Sequence, residues 1–456
     1  MPDDASIPDQ PDASREPLLP QVGPWMVLRV AKAWLLPLAV PAVMIALVTS
    51  IYIGSVIDPI GHLKGLPVQI VNLDTGAATP AGRVALGQSM VHALVGSGEV
   101  SSRLDLHVVS LSQAEKAMNR GSSYATLVIP STFSDSALLD AGQPAAAGTP
   151  AAPTVEIEEN SRLGSLGVNL AVGVLGPALN DVSKQLGTRL TQDSTSAVRS
   201  NPVLAAQLAD PIRVTTVSYR TLPARSALSL SAFYVSLISI LAGFLAAGVI
   251  NSSIDGALGY ATSDLGPRWK IRIPKRISRK QTLITKWCIA LVVAPVLTAI
   301  ILAVAVGAFG MYAPHYGVLW PLLTLATVMV SFGTLALLAA FGSMGQMLAM
   351  VILVYLSLAS SGGTVPIQAL PGFFKGVGQI EPLRQLLGGA RDVLYFGSQW
   401  NAGASHAVLV LGLELLFWIV LGVGVTTWYD RRNLYRLSPE MITTVEHAVL
   451  RRGPSS

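Results

Sequence analysis

Apolar residues gather in six long stretches along this chain, spaced unequally: one, then a long polar insert, then five close together. The first is residues 33–57, AWLLPLAVPAVMIALVTSIYIGSVI. Residues 58–225 mix polar turns with short apolar runs, and almost everything from 228 onward is apolar again. A helix needs about 20 apolar residues to cross a bilayer core of roughly 30 Å. The pattern therefore predicts membrane helices at about 33–57, 228–250, 287–309, 320–341, 346–361 and 406–428. The stretch 320–361 cannot be one crossing, because at 1.5 Å per residue it would extend about 60 Å. It divides at Gly342-Ser-Met-Gly345. The expected fold class is an α-helical membrane protein of six spans (1+5), with an α/β domain inserted between the first two.

The insert 58–225 carries that expectation through shorter periods. Leu66-Pro-Val-Gln-Ile-Val-Asn-Leu reads as a strand followed by the polar turn Asp74-Thr-Gly, and residues 80–95 have helical spacing. Residues 106–110 read as a second strand, Ser112-Gln-Ala-Glu115 as a capping box opening a helix, and 124–129 as a third strand. Pro130-Ser-Thr-Phe-Ser opens another helix, 154–158 is a fourth strand and 213–219 a last one. Residues 160–192 are helical in pattern, although Gly164, Gly167, Gly173, Gly176 and Pro177 should weaken or kink them. The run 140–153, DAGQPAAAGTPAAP, is low in complexity and reads as a loop.

Composition confirms the membrane class: the 456 residues are 51% hydrophobic and 12% charged, too apolar for a soluble globule. The formal charge of +5 is concentrated. Arg268, Lys270, Arg272, Lys275, Arg276, Arg279, Lys280 and Lys286 lie close together, opposed by Asp255 and Asp264. Because this run sits between two spans, it reads as a cytoplasmic loop under the positive-inside rule rather than a nucleic-acid surface. Alternation of the spans then puts residues 58–225 outside the cytoplasm, both termini inside and the protein in the plasma membrane. Residues 1–32, acidic and proline-rich, read as a disordered cytoplasmic tail; residues 429–456 form the other tail. The start lacks the basic n-region of a secretory signal, so the first span reads as a retained anchor. The single cysteine, Cys288, allows no intramolecular disulfide.

Catalytic signatures are missing from the sequence. It contains no GxxxxGK[ST] loop, HExxH, CxxC or GxSxG, and the six histidines show no metal-ligand spacing. No catalytic, cofactor or metal residue is assigned, and the chain does not read as an enzyme. Any ATP would be hydrolysed by a separate ATP-binding subunit. Glu414, inside the last span, is the costliest residue to bury and should face the bundle interior. It reads either as a proton or substrate site or as a hydrogen-bonded structural glutamate; the absence of an intramembrane basic partner favours the second. The segment before that span holds Ser360-Ser-Gly-Gly-Thr-Val-Pro366, Leu370-Pro-Gly-Phe-Phe-Lys, Glu381-Pro-Leu-Arg384 and Arg391-Asp-Val-Leu-Tyr-Phe-Gly397. It reads as a hairpin of short helices returning to the interface, with Glu381, Arg384, Arg391 and Asp392 as its polar positions. Ion pairs such as Glu381 with Arg384, or Arg391 with an acid, are expected to staple it.

Those hairpin motifs resemble the extracytoplasmic hairpin between the last two spans of ABC-2-type permeases. The strands beginning at Leu66 and Tyr124 resemble those of the YhgE/Pip (phage infection protein) group. The stretch from Gly362 to Gly397 resembles its relatives that include the fungal nitrosoguanidine-resistance proteins. The resemblance spans about residues 34–429. It implies an ABC-2-like membrane domain over 228–428, often a homodimer, exporting an apolar or amphipathic compound with an ATPase that contacts the loop 251–285. It implies equally the alternative roles of that group, a phage receptor or a secretion-system scaffold acting through the outward domain.

Overall fold

A computed structural model describes residues 31–79, 82–140, 153–193, 208–261, 263–265, 268–270, 272, 274–275, 277–434 and 436. Residues 1–30 of the expected tail 1–32, residues 435 and 437–456 of the expected tail 429–456, and residues 141–152 of the low-complexity run lie outside them. The chain divides into two units, Met1–Ile51 and Tyr52–Ser456. Helix α1, Ala31–Val56, belongs mostly to the first, and its apolar part is Ala42–Val56.

The second unit opens with an α/β region. Its elements are β1 (Leu66–Asn72), β2 (Ala77–Thr79), β3 (Gly82–Val84), α2 (Leu86–Gly96), α3 (Gly98–Arg103), β4 (Leu104–Val108), α4 (Leu111–Asn119), β5 (Ala125–Ile129), α5 (Phe133–Asp140), β6 (Thr154–Glu159), α6 (Ser165–Asp193) and β7 (Arg213–Ser218). Five strands make one mixed sheet in the order β4-β1-β5-β6-β7, in which only the β5–β6 pair is antiparallel. The interior strand β1 is buried on both faces, with Leu66, Val68 and Ile70 on one and Gln69 and Val71 on the other. Leu127 and Ile129 of β5, Ile157 of β6, and Leu175 and Leu179 of α6 are fully buried as well.

Two local expectations are corrected. The helix read over 80–95 begins only at Leu86, because Gly76 and Gly82, at φ 73° and 126°, let the chain double back as the β2–β3 hairpin. The capping box lies two residues earlier than Ser112/Glu115: the Gln113 side chain accepts the Ser110 N–H at 3.0 Å. Helix α6 runs unbroken through Pro177 for 29 residues. Its Gly167 is required, since a Cβ there would fall 2.3 Å from the Tyr124 ring.

The membrane-grade region follows. Helix α7 (Ser231–Ala257) leads through the short antiparallel pair β8 (Ser263–Leu265) and β9 (Arg268–Lys270) to α8 (Arg279–Ala308). Next come α9 (Tyr316–Phe341) and α10 (Ser343–Ser360), then the short helices α11 (Gly372–Val377) and α12 (Pro382–Tyr395), and finally α13 (Ala404–Arg431). Among the described residues, α7, α8, α9, α10 and α13 are long and apolar enough to cross a membrane. The stretch 320–361 divides between Phe341 and Ser343, where Gly342 takes φ 63°.

Helix α9 is the axis of this bundle, with 78% of its most apolar window buried. Apolar side chains gain nothing by leaving lipid for one another, so packing rests on close approach and interhelical hydrogen bonds. A Cβ on Gly243 would meet the Thr327 carbonyl oxygen at 2.6 Å, so only glycine lets α7 lie this close to α9. At the same crossing Thr327 donates to Ser239 O (3.1 Å) and Ser331 to Gly243 O (3.0 Å). Trp287 of α8 stacks on Phe332 with ring centroids 4.9 Å apart.

At the carboxyl end of β1, where its neighbours β4 and β5 follow on opposite sides, Asp74 fills the crevice. Its carboxylate accepts from Ser134 Oγ (2.6 Å), Ser134 N (3.0 Å), Gly87 N (3.0 Å) and Gly76 N (3.3 Å). Asp74 thus joins the starts of α2 and α5. Asp74→Ala strands these donors and should cost about 2–4 kcal/mol. The readout is faster proteolytic cleavage within 58–225 of the full-length chain; a cleavage rate equal to wild type would refute this role.

Candidate functional site

The hairpin between α10 and α13 gathers the polar positions singled out in the sequence. Its turn is set by Gly362, at φ 71°, and by Gly363, where a Cβ would lie 2.2 Å from the Phe233 ring. Helix α12 then starts with Pro382 in its first turn and Glu381 as the residue before it. The Ser357 hydroxyl of α10 accepts the Leu383 N–H at 3.1 Å and hydrogen-bonds the Glu381 carboxyl. Glu381 is 5% exposed, and its Oε2 has no partner. Burial pushes its carboxyl up to about 7, against the pull of the Ser357 hydrogen bond. The charge of Glu381 reaches Glu414 of α13, whose Oε1 is also buried without a partner. Each of the two carboxyl groups thus holds a buried oxygen without a partner.

Asp392 does something different. Its Oδ2 accepts the Ala404 N–H at 3.0 Å, so it holds the first turn of α13 to the hairpin. Burial pushes its carboxyl up, and the bond from Ala404 pulls it back.

The expected ion-pair staples are absent: no salt bridge among the described residues includes Glu381, Arg384, Arg391 or Asp392. The charges of Arg384 and Arg391 act instead on Tyr124 of the α/β region, and Arg391 Nη2 lies beside Gly164 there, while Glu381 hydrogen-bonds Ser357 of α10. Burial pushes both guanidinium groups down. Arg391 reaches the Gly363 carbonyl only at 3.5 Å, and the Nε of Arg391 and Nη1 of Arg384 are buried without partners.

The same helix carries the α/β region. Arg162 Nη1 donates to the Tyr395 carbonyl at 2.7 Å, and the Tyr395 hydroxyl meets Ser231 Oγ at 2.5 Å. Between them the chain enters α7 through Arg225, Ala227, Leu228 and Ser229, four non-glycine residues with φ between 51° and 74°. Such backbone persists only where its surroundings hold it. Here Ser229 Oγ donates to Arg162 O at 2.7 Å, and Tyr312 N to Arg225 O at 3.3 Å.

A second constellation, at the opposite ends of the helices, went unread in the sequence. Asp255, near the end of α7, is 5% exposed and takes Lys286 Nζ on Oδ1 at 2.7 Å. Arg436, beyond α13, forks onto both of its oxygens at 2.7 Å each. Lys286 also donates to Asn251 at 2.7 Å, and Arg436 stacks over Tyr260 at 4.9 Å. The fork holds the Arg436 guanidinium above its usual value. Asp430 accepts the backbone N–H groups of Arg279 (2.9 Å) and Lys280 (3.1 Å), capping α8 from the tail side. Both ends of the 258–278 connection are thereby fixed to helices and to the tail. Asp255 and Lys286 are visible in the sequence only as members of a charge run, and Arg436 carries no signal of its own.

Glu381 generates a pH dependence with a defined sign. Its carboxyl titrates at 4.5 when solvated and at about 7 in the fold. The stability this supplies is complete below pH 4.5 and lost as pH rises through 7, by up to about 3 kcal/mol. Wild type in detergent should therefore melt progressively lower from pH 5 to pH 8, and Glu381→Gln should flatten that slope. Equal slopes for both would show that Glu381 does not carry the proton.

Comparison with known proteins places this geometry. A family model described as ABC-2 family transporter protein matches residues 32–423. No match is found among curated proteins. Among solved structures, a crystallised domain assigned to an ABC type-2 transporter from Thermotoga maritima MSB8 is 21% identical, covering 34% of this chain and 85% of that one with a TM-score of 0.22. The family model spans the α/β region and nearly all of the helical bundle, and the chain belongs to the ABC-2 family of transporter proteins.

Proposed function

We propose that this chain is the permease subunit of an ABC-2 exporter, working with a separate ATP-binding subunit as a homodimer in the plasma membrane. In this reading α1 is the sixth span, both termini are cytoplasmic, residues 58–225 face outward and the basic connection 258–278 faces the ATPase. By its motifs the chain resembles the YhgE/Pip group, and the cargo is an apolar or amphipathic compound. The observation that carries the reading is the Asp255–Lys286–Arg436 cluster. A connection bolted at both ends to α7 and α8 passes a push from a partner into the bundle, whereas one hung on loose turns would absorb it. Glu381 and Glu414 then mark the outer end of the path, where a buried carboxyl pair changes charge as the hairpin opens.

The alternative is an envelope scaffold or phage-receptor-like protein acting through the α/β region. It is favoured by β7, an edge strand exposed along its whole length and able to pair with another chain. The two readings separate by mutagenesis. A permease predicts that reversing the charges of Arg272 and Lys275 abolishes both co-purification of an ATP-binding subunit and compound efflux, while the protein stays in the membrane. A scaffold predicts normal function in that variant and loss only on deletion of residues 58–225.

A further inference from the structure

A cavity of about 720 Å³ opens beside the charge cluster, between the ends of α7, α8, α9 and α13. Its wall holds three cations, Arg279, Lys286 and Arg436, and one carboxylate, Asp255, bonds two of them. The other nearby acid, Asp430, is turned away onto the start of α8. Arg279 is close enough to Arg436 for the two to repel. Arg279 Nε donates to Leu434 O at 2.8 Å and its guanidinium lies 5.0 Å from the Tyr429 ring. Its terminal Nη groups make no hydrogen bond among the described residues. The rest of the wall is mixed: Asn251, Thr282, Tyr429 and Asn433 are polar, and Leu283, Leu338 and Ala339 supply aliphatic surface.

A cavity whose wall combines excess positive charge with aliphatic surface suits a phosphate anion attached to a hydrocarbon tail. Its position at the helix ends, in any bundle that crosses a bilayer, is the depth at which such headgroups sit. We infer that this cavity binds an anionic phospholipid, its phosphate held by Arg279 and Arg436 and its first acyl carbons on Leu283 and Leu338. The bound anion would offset the repulsion between the two guanidinium groups and so brace the tail against the 258–278 connection. The inference needs only that the bundle spans a membrane, and it stands or falls apart from transport.

The test is the thermal melt of the full-length chain in neutral detergent with three additions: short-chain phosphatidylglycerol, phosphatidylcholine of equal chain length, and inorganic phosphate at matched ionic strength. Phosphatidylglycerol should raise the melting temperature saturably, with no rise from phosphatidylcholine. Arg279→Gln should weaken the apparent affinity at least tenfold, and Arg279→Lys should restore much of it. Because Arg279→Gln can also loosen α8, Ala339→Phe is the second variant: it fills the cavity, keeps every charge, and should abolish the shift. Native mass spectrometry should count one phosphatidylglycerol per wild-type chain and none in Ala339→Phe. Equal shifts from both lipids, or an unchanged shift in Ala339→Phe, would overturn the site. A full shift from phosphate alone would mean a free phosphate is the ligand and overturn the lipid assignment.

Discussion

One buried carboxylate, Asp255, organises the end of the bundle that bears the basic connection. An ionised group out of water costs several kcal/mol unless paired, and removing one partner of a buried pair costs about 3–5 kcal/mol. Asp255 meets that cost with two cations from opposite directions, Lys286 on the next helix and Arg436 from beyond the last. Three separate segments thus have a single mutual position at which no charge is left alone. The cluster is a poor device for stability alone, because apolar side chains would serve as well. It is a good device for registering a tail and a connection on a bundle.

The opposite end follows a contrasting rule. There the charges are not paired: Glu381 and Glu414 face one another's field, and Arg384 and Arg391 turn to Tyr124 with buried nitrogens unmatched. Between the two ends, α9 is gripped through glycine contacts and side-chain-to-carbonyl bonds that permit little sliding. The α/β region rides on the hairpin through Arg162 and Tyr395. Its crevice at β1, a common ligand position in parallel sheets, is occupied by the chain's own Asp74.

Much of this was legible in the sequence, because hydropathy and period are local properties. The five long helices lie near the predicted positions, and the strands at Leu66, Ala125, Thr154 and Arg213 follow from short apolar runs. The helix boundary at Leu86 was misread because helical spacing says nothing about the backward turn that Gly76 and Gly82 allow. The polar residues of the hairpin were found, yet their partners were not. Proximity in sequence suggested Glu381 with Arg384, but the turn into α12 sends those side chains to different neighbours. The Asp255 cluster was invisible for a simpler reason: Arg436 lies 181 residues away, and no one-dimensional pattern links a tail arginine to a helix end.

The central claim is that Asp255 and Arg436 act as one unit in joining the tail to the bundle. A double-mutant cycle tests it most directly, with Asp255→Ala, Arg436→Ala and the double variant unfolded by SDS titration of the full chain in mixed micelles. Asp255→Ala should be the more damaging single change, since it leaves Lys286 and Arg436 opposed without an acid. The pair should show a coupling of about 1.5 kcal/mol or more, and single effects that add to within about 0.5 kcal/mol would contradict the account.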